Sequence, residues 1–392
     1  MSTPPLDKPL PAQHAATPHA IPFARPSLEG REREYVAEVL ASGRMSGDGK
    51  FTKLAQKLLE SELGVRRALL TTSCTSALDM SALLIDIGPG DEFIAPSFTF
   101  TSTLNAFVLR GARPRFADIR PDTLNIDESR LEDLVSPRTR AIVVVHYAGV
   151  GCEMDAIMAL ASRHGLSVIE DNAHGLFGRY RGHYLGTFGS LATLSFHETK
   201  NFSCGEGGAL LINDPGLVER AEIIREKGTD RSRFFRGLVD KYTWMDVGSS
   251  YLSSDLLAAV LLGQLESREK IQRRRQEIWE GYDARLRDWA VRRGVQTPHV
   301  PEHCEQAFHM YYLLMPSLDE RQALIERLAS SDIASAFHYL PLNTSTMGMR
   351  LGGKAGDCPV TEDVSDRLLR LPFYTQLTDA QIDQVAEIVT SR

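Results

Sequence analysis

The chain has 392 residues, of which 43% are hydrophobic and 24% are charged. This is the composition of a globular protein with one or two hydrophobic cores, and no stretch approaches the roughly 20 apolar residues of a membrane span. Its 44 Lys and Arg against 51 Asp and Glu give a net charge of −7, which opposes binding to nucleic acids and anionic membranes. We therefore expect a soluble protein with neither partner.

The cysteines and the first residues bear on where the protein works. Five cysteines are odd in number, widely spaced and without a C-x-x-C pair, which argues against a disulfide framework or zinc site and predicts a reducing, cytoplasmic location. Residues 1–20 are rich in proline and have no continuous apolar segment of the kind that a secretion signal uses. We interpret them as a flexible tail.

Most of the chain alternates between helical and strand patterns. Apolar spacing predicts helices at 31–42 and 52–62, then at 76–85, 102–110 and 154–164. Short runs rich in β-branched residues predict strands at 68–71, 92–96, 115–119, 141–147, 167–170, 191–196 and 209–213. Such alternation indicates crossover connections and a mainly parallel sheet with both faces covered. We predict a large α/β domain over residues 21–260.

A smaller unit is predicted after this domain. An amphipathic stretch over 254–286 predicts one long helix that begins at Ser254 as its N-cap. Its basic run, 268–275, is interspersed with glutamates, so we interpret it as a solvated helix face and not as a nucleic-acid site. Strands at 309–315 and 334–338 and helices at 319–330 and 379–390 complete a small α+β domain over residues 261–392.

Two strand ends carry residues suited to an anion and to a flat ring. Ligands of open α/β sheets bind beyond the carboxyl ends of the strands. Residues 71–78 are small and hydroxylated where a strand meets a helix, which suits a phosphate, although an ordinary helix cap has the same composition. Phe100 follows another strand and could lie on a conjugated ligand or simply fill the core.

Two further strand ends carry titratable groups. Glu170, Asp171 and His174 follow one strand and could bind a divalent metal, or an acid there could hold a cationic ring nitrogen. Lys200 follows the next strand and precedes a glycine-rich loop, 204–208. Burial would lower the pKa of this lysine from about 10.4 toward neutrality and make it a nucleophile, whereas most lysines are surface residues.

The four strand ends together match one cofactor. Pyridoxal 5'-phosphate (PLP) requires an anion site, a stacking face, a carboxylate that keeps its ring nitrogen protonated and an amine that forms a Schiff base. Asp171 and Lys200 would supply the last two groups. The sequence therefore predicts a PLP site and no metal site.

Longer strings of residues extend this interpretation. From about Ile21 onward the chain resembles the sugar-nucleotide aminotransferases of the fold-type-I, PLP-dependent family. The strings that carry the resemblance are residues 47–49, 72–78, 106–112, 120–127, 145–149, 195–201, 223–229, 234–237, 240–244 and 248–252. They are long and occur in order, which makes the resemblance specific.

The resemblance implies a role for particular residues. Lys200 would be the Schiff-base lysine, Asp171 the partner of the pyridine nitrogen, Phe100 the stacking aromatic and His174 the neighbour of the ring on its hydroxyl side. The residues implied for the phosphate are Cys74, Thr75 and Ser195, together with Ser250 from a second subunit. The pair implied for the sugar nucleotide is His338 and Tyr339.

Two positions depart from the family pattern, and one retained residue bears on the reaction. Ser250 stands where the family often has Asn, and Asn343 stands where it usually has a second His, which leaves the contacts of both positions open. Related dehydratases replace the lysine at position 200 by His. Its retention here implies amino transfer and not deoxygenation.

The resemblance implies a homodimer with shared active sites and a two-stage reaction. L-Glutamate would give up its amino group and leave as 2-oxoglutarate, and dTDP-4-keto-6-deoxyglucose would accept the amine to give dTDP-4-amino-4,6-dideoxygalactose. A sibling enzyme acting at C3, or forming the gluco-configured C4 amine, is the nearest alternative. A non-catalytic regulator and a metal-dependent hydrolase using Glu170, Asp171, His174 and His197 are the others.

Overall fold

A computed structural model describes residues 20–391. Its strands are β1 (Arg67–Thr71), β2 (Glu92–Pro96), β3 (Arg113–Ala117), β4 (Thr139–Val145), β5 (Ser167–Asp171), β6 (Arg179–Tyr180), β7 (His183–Tyr184), β8 (Leu191–Ser195), β9 (Gly208–Ile212), β10 (Cys304–Glu305), β11 (Tyr312–Leu314) and β12 (Leu368–Arg370). Its α-helices are α1 (Glu32–Ser42), α2 (Lys50–Leu63), α3 (Cys74–Leu84), α4 (Thr101–Val108), α5 (Met154–His164), α6 (Val218–Arg225), α7 (Arg231–Phe235), α8 (Asp255–Glu266), α9 (Arg268–Arg293), α10 (Leu318–Ser330), α11 (Thr346–Arg350), α12 (Pro359–Arg367) and α13 (Asp379–Thr390).

A seven-stranded sheet forms the centre of the molecule. Its strand order is β1-β9-β8-β5-β4-β2-β3. The strands from β8 to β3 run parallel, and β9 is antiparallel to both of its neighbours. Val145 pairs with Asp171, which in turn pairs with Thr193, so β4 and β5 end level with each other and β8 continues two residues further to Ser195. The mainly parallel α/β fold predicted from the sequence is confirmed.

Helices cover both faces of this sheet. Phe93, Val143 and Ile169 face one layer of helices, which includes α3 and α4. Ile142 and Val168 face α5 on the other side. Because both faces are covered, the inner strands are mostly apolar, whereas the edge strand β3 exposes Arg113 and Arg115. Side chains at the carboxyl ends of the inner strands are the ones that can reach a ligand.

A second core lies around the two-stranded sheet of β11 and β12. It is formed by apolar side chains from α9, α10 and α13, among them Ile278, Leu324 and Val385. Ile21 packs into this second core and pairs with Ile333. Ile271, near the start of α9, packs into the core beside β1 instead. The domain boundary near residue 260 stays a prediction.

Several local predictions differ from the structure. The single helix predicted over 254–286 is two helices, because Ser267 leaves helical geometry at φ −92° and ψ 13°. The strand predicted at 334–338 is irregular apart from one bridge between Ala336 and Arg370. Arg275 is buried and not solvated, since its guanidinium donates to the carbonyl oxygens of Phe308 and His309 at 2.8 and 2.6 Å.

Two other predictions concern the chain ends and membranes. The predicted tail lies outside the described residues, apart from Ala20. Within residues 20–391, no helix combines the length and the apolar character that crossing a membrane would take.

Candidate active site

A cavity of about 930 Å³ opens at the carboxyl ends of the parallel strands. Nine of the ten predicted site residues line it: Cys74, Thr75, Phe100, Asp171, His174, Ser195, Lys200, His338 and Tyr339. The tenth, Ser250, is exposed and lies outside this cavity. The structure thus brings together residues that are up to 265 positions apart in the sequence (339 minus 74).

Lys200 lies in a tight turn after β8. Its backbone N–H donates to the carbonyl of His197 at 2.9 Å, and its side chain enters the cavity. Burial lowers the pKa of Lys200 to about 8, against the opposing effect of Cys74 and Asp171. A substantial share of this amine is therefore neutral near physiological pH, as a nucleophile or general base requires.

Asp171, the last residue of β5, presents a buried carboxylate to the same cavity. Its Oδ2 accepts a hydrogen bond from the hydroxyl of Thr103 at 2.7 Å, and its Oδ1 accepts one from the backbone N–H of Ala173 at 3.3 Å. Burial raises the pKa of this carboxyl, whereas Thr103 and Lys200 lower it. A cationic ring nitrogen placed in the cavity would favour the charged carboxylate.

Glu170 points to the opposite face of the strand. Its carboxylate accepts the backbone N–H groups of Gly186, Phe188 and Gly189 at 2.7–2.8 Å and lies 2.9 Å from Nε2 of the fully buried His146. Glu170 is thus unavailable to the cavity as a metal ligand. Throughout the described range, 20–391, no three His, Cys, Asp or Glu side chains are grouped as a metal site.

The start of α3 presents groups that can bind an anion. Ser73 caps the helix, with its Oγ accepting the N–H of Ser76 at 3.0 Å, so the N–H groups of Cys74 and Thr75 in the first turn are free of intrahelical bonds. Gly208 of β9 packs directly on this turn. A Cβ at that glycine would lie 2.3 Å from the carbonyl carbon of Ser73, so only glycine lets the turn rest on the sheet.

One side of the cavity is aromatic, with rings from both predicted domains. The ring of His174 stacks on His309, with centroids 4.1 Å apart, and His338 stacks on Tyr339 at 3.7 Å. Burial holds the pKa of His174, His309 and His338 well below the usual value, so these rings are neutral. Nδ1 of His174 is buried and has no hydrogen-bond partner among the described residues, which suits a polar group on a bound ring.

Phe100 and Asn343 occupy different environments. The side chain of Phe100 is 60% exposed at the cavity mouth, where it could cover a ring. Asn343 is fully buried, accepts a hydrogen bond from Ser97 at 2.7 Å and donates one to Glu362 at 2.7 Å. It supports the loop and does not line the cavity.

Sequence reasoning missed several residues of the site. Thr103 fixes Asp171, Asn201 lies 2.8 Å from Nδ1 of His309, and Tyr147 lies 2.7 Å from Nδ1 of His338. Arg370 also lines the cavity. Asn201 directly follows Lys200, so its position next to the predicted lysine could have identified it as a site residue. Tyr147 lies in one of the strings that carry the family resemblance, which by itself implies no role for it. Thr103 and Arg370 lie in helical and apolar runs that give no sign of a site.

The geometry fits PLP. An amine, a buried carboxylate, a helix start that can bind phosphate and an unpartnered imidazole nitrogen all border one cavity. These are the groups that a PLP-dependent enzyme of the fold-type-I class uses to bind its cofactor.

Comparison with known proteins gives the family. Residues 26–390 match the DegT/DnrJ/EryC1/StrS aminotransferase family, and the chain belongs to it. The protein is therefore a PLP-dependent aminotransferase. This confirms the enzyme class and the cofactor expected from the sequence.

Similar proteins cover nearly the whole chain. The spore coat polysaccharide biosynthesis protein SpsC of Bacillus subtilis is 35% identical over 382 residues, which span 95% of this chain and 96% of that protein. The aminotransferase TlmJ of Streptoalloteichus hindustanus superposes with a TM-score of 0.86 at 31% identity, over 94% and 98% of the two chains. PseC of Helicobacter pylori, an aminotransferase of pseudoaminic acid biosynthesis, has a TM-score of 0.86 at 28% identity, over 95% and 98%.

Proposed function

We propose that this aminotransferase moves the amino group of L-glutamate to C4 of dTDP-4-keto-6-deoxyglucose, giving 2-oxoglutarate and dTDP-4-amino-4,6-dideoxygalactose. The amino-transfer step is supported by one observation above all, the Lys200 amine and the Asp171 carboxylate in a single cavity. The choice of a sugar is supported by relatives named for polysaccharide and pseudoaminic acid biosynthesis. The C4 position and galacto configuration are supported by the strings of residues described above.

In this proposal the chain holds the cofactor at four points. Lys200 would bind it covalently, Asp171 would accept its ring N–H, and His174 and Phe100 would contact its ring. The phosphate is held by the start of α3 and by Ser195, which ends β8 and lines the cavity. Bound PLP supplies an electron sink for the charge that develops on the reacting carbon.

Lys200 is the proposed proton carrier in both stages. Its neutral amine takes a proton from Cα of L-glutamate in the first stage and delivers one to C4 of the sugar in the second. A pKa of about 8 suits both tasks, because an acid–base catalyst works best when its pKa lies near the working pH. The face of C4 that meets Lys200 sets the configuration of the amine.

His338 and Tyr339 are the proposed contacts of the sugar nucleotide. Nδ1 of His338 lies 2.7 Å from the Tyr147 hydroxyl. In this proposal the Tyr147 hydroxyl donates to Nδ1, so the one proton of the neutral ring lies on Nε2 and can be donated to a sugar hydroxyl. The Tyr339 hydroxyl lies 3.4 Å from Nε2 of His174, between the proposed cofactor and sugar positions.

Product analysis tests the substrate and the configuration. The enzyme is incubated with dTDP-4-keto-6-deoxyglucose and L-glutamate, and the product is examined by NMR. We expect an axial amine at C4 and one 2-oxoglutarate per amino sugar. An equatorial C4 amine or a C3 amine would identify the sibling activity, and absence of 2-oxoglutarate would refute transfer from glutamate.

We also propose a homodimer with shared active sites. The segment from α7 to residue 250 exposes large apolar side chains, with Phe235 70%, Leu238 62% and Trp244 77% exposed, an unusual concentration for a free surface. Ser250 ends this segment outside its own cavity, as expected of a residue that reaches the partner's phosphate. Sedimentation should show a dimer, and Leu238→Glu should shift it toward monomer; a monomeric wild type would refute the proposal.

A cytoplasmic location completes the proposal. All five cysteines are unpaired thiols, and four of them are buried. Thiols persist in a reducing compartment, whereas an oxidising one favours disulfides. Fractionation of cells that express the full chain tests this location, and recovery of the enzyme outside the cytoplasm would contradict it.

A further inference from the structure

A second, smaller cavity adjoins the turn that carries Lys200. It has a volume of about 20 Å³ and is bordered by residues 24–27, residues 373–375, Gln264, Arg275 and the turn after β8. Lys200 borders both this cavity and the active-site cavity. One water molecule needs about 10–15 Å³, so the second cavity has room for a single small molecule or ion.

Arg275 is the buried cation of this cavity, with 4% of its surface exposed. Its Nε and Nη2 donate to the carbonyl oxygens of Phe308 and His309 at 2.8 and 2.6 Å, and the ring of Phe373 lies 4.8 Å from the guanidinium carbon. Nη1 has no hydrogen-bond partner among the described residues. This nitrogen is therefore the part of Arg275 that can donate to an occupant of the cavity.

No carboxylate balances the charge of Arg275 within the part of the chain that the structure describes. Burial lowers the pKa of Arg275 to about 9, and no charged group opposes this effect. The guanidinium nevertheless stays mostly protonated near pH 7. Arg225, which is buried to the same extent, pairs with Asp48 at 2.6 Å. A buried charge without a partner is costly, so an anion beside Arg275 would stabilise the folded protein.

Other groups on the wall of the second cavity also favour an anion. Arg25 and Lys200 add two positive charges, whereas Glu198 is the one acid among the described residues that border this cavity. The backbone N–H groups of Asn201 and Ser203 have no acceptor among the described residues. Backbone N–H groups in a turn can bind an anion together with a cationic side chain.

We propose that the second cavity binds one small monovalent anion, chloride, at Nη1 of Arg275. A carboxylic acid or a phosphate ester has more atoms than a cavity of about 20 Å³ can hold. The bound anion would keep Arg275 on the carbonyl oxygens of Phe308 and His309. Because His309 stacks on His174, the anion would thereby support the aromatic wall of the active site. This inference does not depend on which donor or sugar the enzyme uses.

A water molecule and the Glu198 carboxylate are the competing partners of Arg275. A water molecule could accept a hydrogen bond from Nη1, but it would leave the buried charge uncompensated. The side chain of Glu198 is exposed, and it does not contribute to the pKa of Arg275. Neither partner therefore balances the guanidinium as a bound anion would.

Bromide identifies the occupant directly in crystals of the PLP-bound enzyme. Bromide has the charge of chloride, and its anomalous scattering distinguishes it from water. Wild-type crystals are transferred from chloride to bromide, and the anomalous difference map is calculated. We expect a peak within hydrogen-bond distance of Nη1 of Arg275. Density at this point without an anomalous signal would identify a water molecule and overturn the inference.

The linewidth of the chloride NMR signal measures binding to the same enzyme in solution. We expect saturable broadening of this signal up to about 0.15 M chloride, near physiological ionic strength. R275Q should weaken this binding about tenfold or more, and E198Q should strengthen it, because a negative charge leaves the wall. The matched control is R273Q, which changes an exposed arginine of the same helix and should leave binding unchanged.

Two results in solution would overturn the inference. Equal chloride binding by wild type and R275Q would show that Arg275 does not hold the ion. A bromide peak without saturable broadening would mean binding at crystal concentration only. If R275Q does not fold, the bromide map of the wild type and the E198Q titration decide, and an unchanged chloride affinity in E198Q would then contradict the proposed site.

Discussion

The two sides of the active-site cavity are built differently. On the large-domain side, Asp171 ends β5 and Lys200 lies in the turn after the neighbouring parallel strand β8. On the small-domain side, His338 and Tyr339 lie in irregular chain that is held by stacked rings and one backbone bridge. The strand ends provide charged groups for a cofactor, and the irregular segment provides neutral rings that can be exchanged without disturbing the sheet.

Removal of the amine on the large-domain side should have the largest effect. We expect Lys200→Ala to lower kcat by on the order of 10⁴, because the proposed nucleophile and proton carrier are lost together. Borohydride reduction and peptide mapping should place PLP on residue 200 of the wild type and nowhere in the variant. The control is Lys53→Ala, at an exposed position of α2, which should keep full activity; a label on any residue other than 200 would contradict the assignment.

Loss of the carboxylate charge should rank second. Asp171→Asn keeps the size of the side chain and one of the two oxygens that accept from Thr103 and Ala173, but it cannot balance a cationic ring. We expect both half-reactions to slow by on the order of 10²–10³, as when a preorganised charge is removed. Stopped-flow absorbance of each half-reaction is the measurement. If only the sugar half-reaction slowed, the charge of Asp171 would not be needed in the glutamate half-reaction, and the prediction would be wrong.

The pKa of Lys200 predicts pH-dependent labelling of the apoprotein. Only the neutral amine reacts with an acylating reagent, and its fraction rises as pH increases through about 8. At pH 7 this fraction is about 10²-fold larger than for an ordinary lysine of pKa about 10.4. Mass spectrometry after brief labelling should show residue 200 half-maximally reactive near pH 8. A midpoint near 10 would mean that the side chain is solvated.

The close approach of Gly208 to the phosphate turn predicts a smaller effect. We expect Gly208→Ala to raise the Kd for PLP by about tenfold, equivalent to about 1.4 kcal/mol, because its Cβ would displace the backbone at Ser73. Gly88→Ala is the control, since its nearest neighbour would be 4.0 Å away. Fluorescence titration with PLP measures the Kd, and equal values for the two variants would refute the effect.

A change on the small-domain side should be the mildest and should affect one stage only. Tyr339→Phe removes a hydroxyl 3.4 Å from Nε2 of His174. We expect the KM for the keto sugar to rise about 2- to 10-fold, the value of one hydrogen bond, with the glutamate stage unchanged. Steady-state and single-turnover kinetics measure this. An equal loss of rate in the glutamate and sugar stages would contradict the prediction that this side of the cavity serves the sugar stage alone.

The difference between strand ends and irregular chain also explains which site residues could be predicted from the sequence. Asp171 and Lys200 end apolar runs that form strands, and a parallel sheet brings such ends together whatever lies between them. Arg275 was misinterpreted because its neighbours in sequence are charged, although the residue itself faces inward and holds the Phe308 and His309 carbonyls. His309, Tyr147 and Arg370 were missed because their positions depend on packing between distant segments, which leaves no periodic pattern.

Residues 170 and 171 show how closely the chemistry depends on β5. Successive side chains of a strand point to opposite faces, so a shift by one residue would exchange the two carboxylates. Glu170 is anchored by three loop amides and an imidazole, and this anchoring prevents such a slip. A deletion within β5 would therefore direct the wrong acid into the cavity while leaving both acids in the chain, a loss of activity that composition alone would never reveal.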